Sequence, residues 1–265
     1  MHKGDFKLRK VLVTDIDGTL IYYDERDKQN SEAIRKFRKD KNLVIACTGR
    51  SLQSVAELEE ENYIKFDYYI LLNGAMIADA DKKIVYHKKI EKSCVNEIIN
   101  MLKDERLNIS INNGFEYYIV FGDGENMYRV PERLSISQVE KEDVSAILVH
   151  YKKLDGRYEE LLDGLVDKIN NQYGHQVVAY RNNKYVDIVP VSCSKGGAVN
   201  KIETQLNICE KEIYTIGDSN NDISMINNKY KSFTFNSSSL EIKSKADYLI
   251  NDFMECISII SEKVK

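Results

Sequence analysis

Apolar, β-branched runs that stop abruptly on polar residues constrain this chain more than any other feature. Val11-Leu-Val-Thr14 ends on Asp15, Leu43-Val-Ile-Ala46 leads to Thr48-Gly49-Arg50, and Tyr68 to Leu72 stops at Asn73-Gly74. Between them the pattern turns helical, from Ser31 to Lys39 with apolar Ala33, Ile34 and Phe37, and again from Leu52 to Glu61. Strands alternating with helices pair in parallel, because the chain must cross back before it can run the same way again. Sheets of this kind bind ligands outside the carboxyl ends of their strands. The polar residues just named fall at those ends.

From about Lys83 the order changes. Ile84-Val-Tyr86, Asn108 to Asn113 and Glu116 to Phe121 read as strands, with a helix near Lys92 to Arg106. Further strands are expected at Ser145 to Tyr151, Val177 to Tyr180 and Lys184 to Val189, with a helix from Arg157 to Gln172. Such a mixture predicts an α+β unit. After Pro190 the alternation resumes: helix Gly197 to Leu206, strand Ile213 to Ile216, a short helix from Asp222, then strands at Ser232 to Phe235 and Ala246 to Ile250. A length of 265 residues suits two units. The expectation is an α/β fold, a doubly wound, Rossmann-like parallel sheet core (residues 1–82 and 189–265) carrying an inserted α+β cap domain (83–188). Hinges are expected near Asp81 to Lys83 and Ile188 to Pro190. Asn236-Ser-Ser-Ser239 is expected to cap a helix.

Asp15-Ile-Asp17-Gly18-Thr19 puts two carboxylates two residues apart on a turn at a strand end, with Gly18 allowing the sharp bend. An ordinary solvated turn would look similar. A calcium loop would not, since Thr19, Leu20 and Ile21 follow rather than a run ending in a bidentate glutamate. Gly217-Asp218-Ser219-Asn220-Asn221-Asp222 brings a second acidic pair to another strand end, although Asp222 alone could be a helix cap. Four carboxylates crowded together repel unless a hard cation such as Mg²⁺ joins them. Thr48 offers a hydroxyl and Lys195 an ammonium at a helix start, both suited to an anion. Metal, carboxylate nucleophile and phosphate donors together suit phosphoryl transfer.

The remaining composition mainly excludes. A net charge of −4 offers no field for a polyanion, so nucleic acid is a poor partner. Five scattered cysteines (Cys47, Cys94, Cys193, Cys209, Cys256) form no metal or disulfide framework. Cys193, close to Lys195, is expected to be inert. No apolar stretch is long enough for a membrane span, and a reduced cytoplasm is the expected setting. His2, His87, His150 and His175 are too dispersed for a metal set. Tyr117, Tyr118 and Tyr185 could face a ligand but more often such residues pack. No heptad or other signature reports the oligomeric state.

Asp15-Ile-Asp17-Gly-Thr, Thr48-Gly-Arg, Lys195-Gly and Gly-Asp218-Ser-Asn-Asn221-Asp222, in that order, resemble the four motifs of the haloacid dehalogenase superfamily. The large insertion and Asn73-Gly-Ala are similar to its Cof-type sugar-phosphatase group, while Ser192-Cys193 departs from the group's usual residues before the lysine. The resemblance implies a Mg²⁺-dependent hydrolase of small phosphorylated metabolites. In it Asp15 would be the nucleophile and Asp17 the general acid and base. Asp15, the Asp17 carbonyl and Asp218 would hold Mg²⁺, with Asp222 supporting them. Thr48, Lys195 and Asn221 would bind the phosphoryl oxygens. A phosphomutase with a similar cap, or a catalytically weak module that binds a phosphorylated ligand, stand as alternatives.

Overall fold

The computed structural model describes residues 9–124, 132–152, 158–182, 184–227 and 229–262. Strand β1 (Val11–Thr14) is buried throughout, and its side chains alternate between two apolar layers. Leu12 joins a cluster with Ile34, Phe37, Val44 and Val55, whereas Val11 and Val13 join Ile45, Ile70, Val199 and Ile202. A strand covered on both faces has no polar side to show, which is why it reads as an unbroken apolar run.

Along the chain follow α1 (Arg26–Lys39), β2 (Leu43–Cys47), α2 (Leu52–Asn62), β3 (Tyr68–Leu71), β4 (Met76–Asp79) and β5 (Ile84–His87). The second unit holds α3 (Lys92–Met101), β6 (Leu107–Asn112), β7 (Tyr117–Phe121), α4 (Ile136–Val139), β8 (Ala146–Tyr151), α5 (Tyr158–Tyr173), β9 (Val177–Asn182) and β10 (Tyr185–Pro190). The return comprises α6 (Lys195–Leu206), β11 (Ile213–Ile216), α7 (Ile223–Ile226), β12 (Lys231–Phe235), α8 (Leu240–Lys243), β13 (Tyr248–Ile250) and α9 (Phe253–Glu262). Among the described residues these strands make one eight-stranded sheet, ordered β13-β12-β11-β1-β2-β3-β4-β5, and one five-stranded sheet, ordered β7-β6-β8-β10-β9. From β13 to β3 the first sheet is parallel, and the second is antiparallel throughout. The expected architecture of a parallel core and an antiparallel cap is therefore present.

Its boundaries differ from those read in the sequence. β4 pairs antiparallel with β3, and β5 pairs antiparallel with β4, so the core sheet runs straight across residues 82 and 83. Ile84-Val-Tyr86 thus belongs to the core, and no hinge lies at Asp81 to Lys83. The physical reason is a hairpin: Asp79 accepts the N–H groups of Asp81 and Lys83, folding β5 back onto the sheet edge. At the other junction β10 continues to Pro190, which pairs with Val177, so the cap sheet extends past residue 188.

Other elements shift less. α1 starts at Arg26 rather than Ser31, because its first turn is exposed and carries no apolar periodicity. Asp27 ties that turn to the preceding loop by accepting the N–H groups of Tyr22 and Tyr23 at 2.7 and 2.9 Å. α3 ends at Met101, short of the expected Arg106. Arg157, the expected start of the following helix, lies outside the described residues, and α5 begins at Tyr158. The terminal α9 was not anticipated; it buries Phe253, Cys256 and Ile260. Ser239 caps α8 by accepting the Ile242 N–H, as expected of the serine run.

The cap sheet shows two unlike faces. On β6 Leu107, Ile109 and Ile111 join Val149, Val186 and Ile188 in an apolar cluster with Val95 and Ile98 of α3 and Leu162 and Ile169 of α5. Alternation along a strand sends Asn108, Ser110, Asn112 and Asp187 to the opposite face. No helix among the described residues is long and apolar enough to cross a membrane.

Candidate active site

β1 and β11 lie side by side at the centre of the core sheet, with Thr14 level with Ile216. The residues that leave their carboxyl ends, Asp15 and Gly217-Asp218, therefore emerge together, where the strand order reverses. The Asp15 N–H donates to the Ile216 carbonyl at 3.0 Å and fixes the turn. Gly18, at φ +82°, lets the loop bend back until Asp218 packs against it; a Cβ there would lie 2.9 Å from Asp218 Oδ2. Thr19 then donates its hydroxyl to Asp218 Oδ1 at 2.6 Å.

Lys195 enters from the first turn of α6, whose start is capped by Ser194 accepting the Gly197 N–H. Its side chain is fully buried, and Nζ donates to Asp15 Oδ1 at 2.6 Å and to Asp222 Oδ1 at 2.5 Å. The other Asp222 oxygen accepts the backbone N–H groups of Asp218 and Ser219, each at 2.9 Å. Asp15, Asp218 and Asp222 can each offer an oxygen within 4.8 Å of the others. Burial pushes the Asp15 carboxyl well up, against the pull of Lys195 and with the help of Asp222 and Asp218. Asp218 is pushed up to about 6, by burial first and then by Asp222. Burial would lower the Lys195 ammonium, but Asp15 and Asp222 outweigh it and hold the group above its ordinary range. Hard oxygen donors with excess negative charge fit a divalent cation such as Mg²⁺. Asp222 is engaged through both oxygens, Oδ1 by Lys195 and Oδ2 by the backbone.

Asp17 turns away from this cluster. Arg50 grips its carboxylate through Nε at 2.8 Å and Nη2 at 2.7 Å, and the Tyr23 hydroxyl adds a bond at 3.1 Å. Arg50 Nη2 also bonds Tyr23. Partial desolvation at the cavity rim would raise the Asp17 carboxyl, yet the Arg50 hydrogen bonds and charge hold it below the ordinary carboxylate range. Thr48 is buried at the end of β2 and accepts the Arg50 N–H at 3.2 Å. Asn221 donates through Nδ2 to Asn73 Oδ1 at 3.2 Å, and Asn73 donates to Asp187 Oδ2 at 2.9 Å. A cavity of about 890 Å³ spans the core and the cap, with Asp15, Asp17, Thr48, Asp218 and Asn221 on its core side. Lys195 and Asp222 do not line it; they sit behind Asp15.

Residues 12–255 match the family of haloacid dehalogenase-like hydrolases. The chain belongs to that family. Phosphatase YwpJ of Bacillus subtilis (strain 168) is 26% identical over 268 residues, covering 90% of this chain and 93% of the relative. A haloacid dehalogenase-like hydrolase structure from B. subtilis superposes with a TM-score of 0.77 at 21% identity, over 95% of this chain and 99% of that one. A sugar phosphatase of subclass IIB, BT4131, superposes equally well at 0.77 and 19% identity, over 96% and 98%. At those identities the two structures establish the shared fold.

Several residues of this haloacid dehalogenase-like hydrolase escaped sequence reading. Arg50 stood beside Thr48 but was given no partner, and Tyr23 lies in an unpatterned loop. Asp187 carried a visible signal: an acid between Val186 and Ile188 in an apolar strand, where it must be either exposed or specifically held. It is 7% exposed. Tyr117, Tyr118 and Tyr185 all line the cavity. His2 lies outside the described residues; His87, His150 and His175 stay apart from the acid cluster, with His150 stacked on Tyr185 at 4.8 Å in the cap. Cys193 is buried, and that burial pushes its thiol up, the condition of an inert thiol.

Proposed function

We propose that this chain is a Mg²⁺-dependent phosphatase of small phosphorylated metabolites, sugar phosphates or related compounds, working through an aspartyl phosphate on Asp15. One observation carries the reading: Asp15 faces the cavity while its Oδ1 is tied to the buried Lys195, beside two further carboxylates. A carboxylate so placed is oriented for attack, and its charge is balanced from behind. The family is one of hydrolases, and YwpJ is a phosphatase by name. BT4131 is a sugar phosphatase by name, and this chain's cavity has room and polar groups enough for such a ligand.

In the first step an Asp15 oxygen forms a bond to phosphorus as the bond from phosphorus to the substrate oxygen breaks. Asp17 gives that oxygen its proton, so a neutral alcohol leaves. In the second step Asp17 takes a proton from water, whose oxygen attacks phosphorus and releases Asp15 and inorganic phosphate. The Arg50 clamp holds Asp17 ionised, which suits the second step. An arriving phosphoryl dianion competes for the same guanidinium, and a loosened Arg50 permits Asp17 to carry the proton that the first step needs. Asp15, Asp218 and the Asp17 carbonyl would hold Mg²⁺, which supplies charge neutralisation between the phosphoryl oxygens and the attacking carboxylate. Thr48 and Asn221 would donate to phosphoryl oxygens, while Lys195 offsets the charge on Asp15.

The test is release of inorganic phosphate from a panel of phosphomonoesters, with Mg²⁺ or with a chelator, using Asp15→Asn as the blank. Release should depend on the cation and fall by about 10³-fold or more in the variant. Undiminished release from Asp15→Asn would remove Asp15 as nucleophile. Transfer of phosphate between two hydroxyls of one sugar, with none set free, would replace hydrolysis by mutase chemistry.

A further inference from the structure

We propose that Asp187, a cap residue, positions the Asn221 amide for the phosphoryl group by fixing the orientation of Asn73 between them. This inference rests on the phosphatase reading above.

A continuous line of hydrogen bonds joins the two sheets. Asp187 Oδ2 accepts from Asn73 Nδ2 at 2.9 Å, Asn73 Oδ1 accepts from Asn221 Nδ2 at 3.2 Å, and Asn221 Oδ1 accepts from the Ser219 hydroxyl at 2.7 Å. All three carboxylate and amide groups are buried, with residue exposures of 7%, 1% and 5% along the line from Asp187 to Asn221. Asp187 reaches the core because Val186 and Ile188, on either side of it, occupy the apolar core of the cap. It forms no ion pair among the described residues. A buried carboxylate without a cation is costly, so its placement needs a reason beyond cohesion.

The reason lies in polarity. A primary amide can present either oxygen or nitrogen, and the two ends are nearly equal in shape. Asp187 accepts here through Oδ2, and that contact requires Asn73 to turn its nitrogen to Asp187 and its oxygen to Asn221; burial pushes the Asp187 carboxyl up, and the Asn73 hydrogen bond and the Lys195 charge oppose it. Asn221 must then answer with nitrogen, which sets its NH₂ group, and not its oxygen, toward Asn73. Asn221 borders the cavity together with Asp15. Its second amide hydrogen is thereby available to an anion, whereas an amide oxygen in that place would repel one. Asn73 is secured by its backbone as well. It sits at φ +50° after Leu72 at φ +49°, both in the left-handed region, and its N–H donates to the Thr48 carbonyl at 3.0 Å. Two consecutive non-glycine residues in that region are unusual and persist only where the surroundings hold them.

The experiment compares wild type, Asp187→Ala, Asp187→Asn, Asn221→Ala and the double variant Asp187→Ala/Asn221→Ala. The substrates are an aryl phosphate and a hexose 6-phosphate, with Mg²⁺ present. Asp187→Ala should lower kcat/KM for both substrates by the same factor, about tenfold, the size of one hydrogen bond to a charged group. Asp187→Asn, which keeps an acceptor but can flip, should fall between it and wild type. The double variant should be no worse than Asn221→Ala alone, because the two residues act as one unit. Loss confined to the hexose phosphate would mean that Asp187 reads the leaving group, and additive losses would mean independent roles; either overturns the proposal. If Asp187→Ala does not fold, Asp187→Asn carries the comparison. Side-chain amide ¹⁵N spectra separate the two levels of inference: the Asn73 and Asn221 NH₂ resonances should shift in Asp187→Asn. Unshifted resonances overturn the relay whatever the activity, while a shift in a protein whose wild type frees no phosphate leaves the relay standing and removes the phosphatase reading.

Discussion

An ammonium with no exposed surface, held between two carboxylates, dominates the site at the scale of single residues. Replacing Lys195 would leave Asp15 and Asp222 facing each other in a buried space, which is why the lysine is as much structural as chemical. Asp17 has the opposite setting, a half-exposed carboxylate at the rim in the grip of Arg50. On the mechanism proposed above, Asp17→Asn should separate the two chemical steps. With a hexose phosphate, turnover should drop by about 10²- to 10⁴-fold for want of a general acid. With an aryl phosphate, whose leaving group needs no proton, the first step should survive and the phosphoenzyme should accumulate, seen as a burst of aryl alcohol in rapid-quench kinetics. No burst would mean that Asp17 serves the first step in some way other than proton donation. That Asp15, Lys195 and Asp218 meet at one place was legible, because each follows an apolar strand or opens a helix, positions that pattern defines. Arg50 and Tyr23 were not, because their meeting with Asp17 depends on how loops cross in space.

At the scale of elements, the placement of Lys195 depends on how closely α6 approaches α7. A Cβ at Gly196 would run into the Ser224 carbonyl oxygen, a backbone atom that cannot yield without moving α7. Gly196→Ala should lower the melting temperature, by an amount corresponding to about 2 kcal/mol or more, and should reduce activity with it. Gly164 is the contrast: it lies exposed within α5, and a Cβ there would meet nothing within 4 Å. Gly164→Ala should stabilise the fold by about 0.5–1 kcal/mol through the unfolded chain and leave kinetics unchanged. Thermal or chemical unfolding of both variants checks the pair. Strand identity was readable at this scale except for β4, which the sequence pattern did not show, but strand membership was not. Ile84-Val-Tyr86 was correctly seen as a strand yet assigned to the cap, because local pattern reports that a segment is extended and not which sheet edge it joins.

Across the whole molecule, the cluster of acids links cation binding, pH and stability. A carboxyl whose folded pKa lies above its unfolded value stabilises the fold while it is protonated in both states. That contribution is complete below about pH 4 and is lost as pH rises through the folded value. For Asp218 the folded value is about 6, so the metal-free protein should lose stability from this group between about pH 4 and 6. Mg²⁺ held there as proposed would compete with that proton and stabilise only the folded state. Melting temperatures with and without Mg²⁺ should thus diverge as pH rises from 5 to 7, and Asp218→Asn should reduce the divergence. An Mg²⁺ shift that does not grow with pH would argue against Asp218 as a ligand.

What the chain determined on its own was the kind of architecture and the kind of chemistry. Buried strands must be apolar, their ends must be polar, and carboxylates cannot be gathered there without a compensating charge, so these features are written locally. What only the tertiary structure decided was partnership: that Arg50 takes Asp17, that β5 closes the core sheet, and that Asp187 crosses from the cap to Asn73 over a sequence separation of 114 residues. Such contacts depend on the register between packed layers, a sum of many weak interactions along both sheets, and no short stretch of sequence contains that sum.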